Sequence, residues 1–348
     1  MGLVKWLILP VLLSAVAFYG YYKIVTPPEV VVPRNGWYGS GKERPDNAEI
    51  KPFAVDVPER EITELKQRLK NSRVSHEVLE DANTFEYGFN SRYLQKVKDH
   101  WLTKFDWRKQ EKILNTWPQF TTEIEGVKVH FYHVKPDAKK YKKIFPLLLV
   151  HGWPGNVFEF YKILPMLIDP ASHGLGAGVA FEVVAPSIPG YGFSGQPKKT
   201  GFNSIAAARG FKKLMYRLGH EKFFLQGGDW GSVITSTVGR MYPESAYGVH
   251  LNFGSAPFSL KAVLTSLVGT AFPKLLFADA RYHTYNYLAD VKVLIQESGY
   301  MHLQATKPDT VGTALNDSPL GLAAYILEKF STWTHLENRD LPDGGLTK

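Results

Sequence analysis

The reading of this chain turns on residues 222–232, KFFLQGGDWGS. Phe223, Phe224 and Leu225 make a short continuous apolar run, the pattern of a strand buried on both faces of a parallel sheet. Gly227, Gly228, Asp229, Trp230 and Gly231 follow, and residues 233–241 then carry helical apolar spacing. Strand, tight turn and helix meet at the pattern Gly-x-Asp-x-Gly. Glycines two before and two after the centre let such a turn press against neighbouring backbone. The central side chain is thrust out at the end of the strand, beside a helix N-terminus. An ionised Asp placed there can attack carbon directly, leaving an ester on the protein. An Asp just before a helix can equally be its N-cap, and the turn alone leaves both readings open.

The chain around this turn alternates strands with helices. Residues 120–134 alternate like a strand pair. Residues 145–150 are a continuous apolar strand, and 181–185 another, broken only by Glu182. Residues 203–218 read as a helix with apolar Ile205, Phe211, Leu214 and Met215, and 247–253 as a further strand. Such alternation indicates a doubly wound, mostly parallel sheet, with ligands bound beyond the carboxyl ends of the strands. Asp229 stands at one such end. At a second stands His151-Gly152-Trp153-Pro154-Gly155, and at a third the Gly/Pro loop SIPGYGFSG, residues 187–195. The third loop reads as a wall of the site. The frame around Asp229 resembles the nucleophile turn of α/β-hydrolases. In those proteins the oxyanion hole takes one N–H from the loop equivalent to HGWPG and one from the residue after the nucleophile. Here those are Trp153 and Trp230.

Composition narrows the choices. The 348 residues are enough for a full core, and the aromatic share of 14% suits an apolar cavity as well as ordinary packing. The net charge of +8 includes no dense basic run with interleaved aromatics, which argues against nucleic acid. The absence of cysteine excludes thiol catalysis, disulfides and cysteine metal sites, and fits a cytosol-facing protein. His130 and His133 lie on a strand pattern three apart, so they point to opposite faces and make a weak metal pair.

Residues 6–22 are apolar apart from Ser14 and Gly20, include Pro10, and are flanked by Lys5 and Lys23. Their 17 residues are at the short end for a membrane span, with aromatics at both edges. Ala15-Val16-Ala17 offers a competing signal-cleavage site. More basic residues follow the span than precede it, which places the body in the cytosol. The expected organisation is an anchor over 1–24, a linker and helical segment over 25–119, a partial core over 120–256 and a helical lid over 257–348. Helices are expected at 57–73, 91–103 and 320–330, and 26–47 reads as linker.

HGWPG, SIPGYGFSG and GGDWGS, in that order, resemble the loops of epoxide hydrolases of the α/β-hydrolase superfamily. The anchor, the helical segment before the sheet, and GYMHLQATKPDT at 299–310 make the chain similar to the microsomal epoxide hydrolases, most of all to the insect juvenile hormone epoxide hydrolases. The resemblance implies that Asp229 opens the oxirane and that Tyr300, in the lid, donates a hydrogen bond to the epoxide oxygen. It implies that His151, Gly152 and Pro154 line the substrate, that no cofactor or metal is used, and that the ligand is a lipophilic epoxide, hormone-like or foreign, met at the endoplasmic reticulum membrane. The family pattern also includes a second lid tyrosine, a relay acid and a catalytic His beyond the lid, none of which can be carried over. His302 and His335 are poor substitutes. The expectation is a truncated chain without the last strands of the sheet, deficient in turnover. Two alternatives stand beside it: a haloalkane dehalogenase-like hydrolase, with Trp230 as halide ligand, and a membrane-tethered protein that only binds lipophilic ligands.

Overall fold

The apolar runs form the middle of a seven-stranded sheet in a computed structural model that describes residues 19–20, 35–74, 76–82, 84–176, 178–254 and 259–347. The strands are β1 (Lys51–Phe53), β2 (Gln119–Ile124), β3 (Val127–Val134), β4 (Lys143–Val150), β5 (Val179–Pro186), β6 (Phe223–Gly227) and β7 (Ala246–Leu251). Their order is β1-β2-β3-β5-β4-β6-β7. The first three and β5 pair antiparallel, and β5, β4, β6 and β7 run parallel. This is the mixed sheet of the α/β-hydrolase fold, as expected.

Helices α1 (Glu59–Asn71), α2 (Ser91–Thr103) and α3 (Trp107–Leu114) precede the main sheet. Helices α4 (Leu164–Ile168), α5 (Ser204–Arg217) and α6 (Trp230–Met241) flank it. After β7 come α7 (Leu260–Ala271), α8 (Pro273–Leu276), α9 (Tyr287–Glu297), α10 (Gly299–Thr306), α11 (Pro308–Asp317) and α12 (Pro319–Thr332). Asn203 starts α5 by accepting the Ala206 amide, and Asn90 starts α2 by accepting those of Arg92 and Tyr93.

Successive strand residues face opposite ways and both faces are covered, which is why the central runs are apolar apart from Glu182. On one face Leu148, Val150 and Val184 pack with Phe211 and Leu214 of α5 and Ile234 and Val238 of α6. On the other, Leu147, Leu149 and Val183 pack with Val157, Phe160 and Leu164. A smaller core of Leu69, Leu94 and Leu320 joins α1 and α2 to α12.

Two features depart from the sequence reading. Strand β1 and helix α3 were not anticipated. Within the expected linker, residues 35–47 are bonded to the β2–β3 turn: Asp46 accepts the amides of Glu125 and Gly126, each at 2.8 Å, and Tyr38 N–H donates to Glu125 O at 2.8 Å. The Glu125 side chain turns inward and meets Arg209 of α5 through two 2.6 Å bonds and Lys213 at 2.7 Å, pinning α5 to the hairpin. The expected anchor lies outside the described residues except for Tyr19 and Gly20. No helix among the described residues is long and apolar enough to cross a membrane. Strand β7 is an edge of the sheet and carries exposed Tyr247, Val249 and Leu251.

His130 is fully buried on β3, between Ser187 Oγ and Gln119 Oε1, each at 2.9 Å. Burial, helped by the nearby Lys128, pushes its pKa down to about 3. Between about pH 6.5 and that value the unfolded chain takes up a proton that the folded one refuses, so stability is full above the unfolded pKa and falls with acidification. Unfolding free energies from urea titration should decline from about pH 7 to about pH 4, by up to ~3 kcal/mol from this residue, and less steeply in His130→Gln. Equal slopes in the two proteins would contradict this.

Candidate active site

The site is assembled at the junction of β6 and α6. Asp229 has φ +50° and ψ −125°, one of two non-glycine residues with positive φ among those described. Such a conformation costs on the order of 1–3 kcal/mol and persists only when its surroundings enforce it. The flanking glycines show how. A Cβ on Gly231 would stand 2.0 Å from Val150 O at the end of β4, and one on Gly227 would stand 2.2 Å from Gly231 O. The turn is wedged against β4 in space that no side chain could share. Asp229 makes no side-chain cap bond to α6, so the N-cap alternative does not describe its carboxylate.

The carboxylate faces the HGWPG loop. Trp153 N–H donates to Asp229 Oδ1 at 2.7 Å, and a Cβ on Gly152 would stand 2.4 Å from the same oxygen. Trp153 and Pro154 are joined by a cis peptide bond. The first helical bonds of α6 come from the amides of Ser232 and Val233, so Trp230 and Gly231 supply the helix's opening donors. Trp230, the residue after Asp229, is half exposed. His151 is buried, its Nε2 accepts the Ile188 amide at 3.0 Å, and its Nδ1 lies 3.0 Å from Gly152 O. Burial pushes its pKa down to about 4. His151 thus braces the loop from within and keeps neither nitrogen for a ligand.

Tyr300 of α10 stacks on Trp153, ring centroids 4.8 Å apart and planes at 17°. Tyr325 and Trp333 lie edge-on to this pair, and Lys329 Nζ sits 4.8 Å from the Tyr300 ring centre. Burial first, then the charge of Asp229, raises the Tyr300 phenol, which keeps it a proton donor. Tyr191 of the SIPGYGFSG loop is likewise pushed up to about 12 by burial and by Asp229. Its sequence offered only a Gly/Pro loop, and no local pattern marks a ring that faces a carboxylate across the fold. A largely apolar cleft of ≈690 Å³ runs beside β6 and β7, lined by Phe160, Leu167, Phe224 and Val249 with Glu159 and Asn252. It adjoins the turn and does not include Asp229.

Every histidine of the chain lies among the described residues, and none of them hydrogen-bonds to Asp229. His302 is exposed on α10, and His335 lies 3.9 Å from Glu337 at the surface. His130 and His133 face apart, as expected. His133, Glu182 and His220 could offer ligand atoms within 4.8 Å of one another. The His133 Nε2 to Glu182 Oε1 contact is 2.6 Å, and Lys135 Nζ stands 3.4 Å from the same oxygen. These bonds hold Glu182 well below the usual carboxylate range, His133 first. The group sits toward the amino-terminal ends of the parallel strands, away from Asp229.

Residues 50–160 match the model of the epoxide hydrolase N terminus, and residues 146–341 that of the alpha/beta hydrolase fold. The chain is 49% identical to epoxide hydrolase 1 of Sus scrofa, over 98% of its own length and 76% of the relative's. It is 43% identical to juvenile hormone epoxide hydrolase 1 of Ctenocephalides felis, over 94% and 69%. The crystal structure of the juvenile hormone epoxide hydrolase of Bombyx mori superposes with a TM-score of 0.82 at 40% identity, covering 90% of this chain and 74% of that one. The chain belongs to the epoxide hydrolase family, on the α/β-hydrolase fold.

Proposed function

We propose that this chain opens lipophilic epoxides by attack of Asp229. The observation that carries the reading is the 2.7 Å bond from Trp153 N–H to Asp229 Oδ1 on a turn held at positive φ. With Oδ1 engaged, Oδ2 is the oxygen left to attack. It forms a bond to an oxirane carbon as the ring C–O bond breaks, and the departing alkoxide takes its proton from the Tyr300 hydroxyl. An oxirane reacts sluggishly unless its oxygen is polarised, and a phenol held protonated beside an apolar wall suits that task. The ester carbonyl oxygen is then Oδ1, on the Trp153 amide, with the Trp230 amide as the second donor expected of an oxyanion hole. Water attacking that carbonyl would release a diol and restore the carboxylate.

The last step needs a base. No histidine bonds to Asp229 among the described residues, and His151 has both nitrogens occupied. In this reading ester hydrolysis, for which no histidine among the described residues is placed, is the slow step. Removing a base from a coupled catalytic unit costs on the order of 10⁴–10⁶ in rate. The aromatic wall of Trp153, Tyr300 and Tyr325 favours an apolar substrate, in keeping with relatives named for juvenile hormone. A second reading, halide displacement, is favoured by the half-exposed Trp230 that follows Asp229.

Styrene oxide and 1-bromobutane separate the two. The chain should consume about one equivalent of epoxide in a burst, then release diol slowly, and should release no bromide. Tyr300→Phe should slow the burst by roughly 10²- to 10⁴-fold. Bromide release would favour the second reading, and sustained diol turnover would contradict the slow step. We further propose that residues 6–22 anchor the chain in the endoplasmic reticulum membrane with its body in the cytosol. Carbonate extraction of membranes from expressing cells should leave the chain in the pellet, and its release would overturn the anchor.

A further inference from the structure

Glu159 lies in the short 3-10 helix Val157–Phe160, just beyond HGWPG. Asn156 starts that helix, its side chain accepting the Phe158 amide at 2.8 Å and its carbonyl accepting Glu159 N–H at 3.0 Å. The residue is exposed as a whole, yet its carboxyl end folds back over the loop. A Cβ built on Gly155 would fall 1.3 Å from Glu159 Oε1, so the carboxyl group occupies the place where any other residue at 155 would put its side chain. The amides of Gly152 and Asn156 face this group and favour its charged form. Burial, then the charge of Asp229, opposes them and moves the carboxyl up to about 7.

The Gly152 amide immediately precedes the Trp153 amide, the donor to Asp229 Oδ1. The carbonyl of Gly152 accepts from His151. The Glu159 carboxyl thus lies toward the amide side of the Gly152 peptide, and His151 bonds its carbonyl. An isolated carboxyl in this setting costs free energy unless its amide contacts offset it.

We propose that Glu159 is a positioning residue of the site: its carboxyl group, folded over Gly155 onto the amides of Gly152 and Asn156, fixes the HGWPG loop so that Trp153 N–H meets Asp229. It acts through the loop. Gly155 is glycine because the carboxyl group needs its space. The proposal rests on Asp229 being the nucleophile, and one of its two readouts does not depend on that.

The first readout is hydrogen exchange at the Trp153 amide, followed by NMR in the ¹⁵N-labelled full chain with no substrate. Glu159→Ala should speed exchange at least about tenfold, the loss of roughly one hydrogen bond's net contribution. Glu159→Gln, which keeps an acceptor of the same shape, should restore most of the protection. Gly155→Ala displaces the carboxyl group without removing it and should match Glu159→Ala. The double variant should be no worse than either single one, because both remove one interaction. The second readout is the single-turnover alkylation of Asp229 by styrene oxide, followed by intact mass. Glu159→Ala should lower the saturating rate by roughly 10- to 100-fold and leave the half-saturating concentration unchanged, since misplacing one donor affects the reacting geometry and not the apolar wall.

Parent-like exchange at Trp153 in Glu159→Ala and Gly155→Ala would overturn the proposal. So would a Glu159→Gln variant as impaired as Glu159→Ala, or a loss confined to the half-saturating concentration. Slowed alkylation with unchanged exchange at Trp153 would also overturn it. Altered exchange in a parent chain that never alkylates would leave the positioning intact and contradict the assignment of Asp229 instead.

Discussion

Three lengths of backbone pass closer together at Asp229 than any side chain would permit. The end of β4, the end of β6 and the start of α6 meet through Gly227 and Gly231, whose missing side chains are the condition for the contact. The left-handed conformation of Asp229 follows from that meeting. It is held by the parallel pairing of β4 with β6, and by the burial of Ile234 and Val238 of α6 against the sheet. A strain of ~1–3 kcal/mol is small against that packing, so the carboxylate is fixed before any ligand arrives. Fixing it also fixes which oxygen is engaged, because the Trp153 amide reaches Oδ1 and not its twin.

The wall above the carboxylate has a separate support. Tyr300 and Trp153 stack across the gap between α10 and the HGWPG loop, and Tyr325 of α12 closes on the same pair. Helix α12 is seated by Leu320 on Leu69 of α1 and Leu94 of α2. Arg68 of α1 also donates to Asn316 O at 2.8 Å, just ahead of α12. The helices before the sheet therefore support the site at one remove, by holding the helix that carries Tyr325. This gives a physical reason for a helical segment with no constellation of its own to travel with this core.

Much of this was legible in the sequence, for identifiable reasons. Strands β4, β5 and β6 are apolar on both faces, so their runs are continuous and need no partner to be recognised. Helix α5 was legible from the helical spacing of Ile205, Phe211, Leu214 and Met215. The Asp229 turn was legible because glycine spacing records a backbone contact. What escaped was whatever depends on distant partners. Strand β1 has three residues, one of them Pro52, and exists because β2 offers it an edge. Helix α3 contains Glu111, a charge that reads as solvent-facing. It is in fact buried on Val57 N–H, Trp107 and Arg108, which hold its carboxyl below the ordinary range, the Val57 amide first. The family resemblance put His151 against the substrate, and only the Ile188 amide, brought near by β5, shows it as a brace. Glu159 left no trace because its partners are backbone amides, which every sequence contains.

The most direct test of Asp229 as the attacking group is intact-mass analysis of the purified chain after incubation with styrene oxide, followed by peptide mapping. The expected result is a gain of one epoxide mass per chain, located on Asp229 and absent from Asp229→Ala. An adduct on another residue, or epoxide consumption undiminished in Asp229→Ala, would contradict the chemistry assigned to the β6–α6 turn.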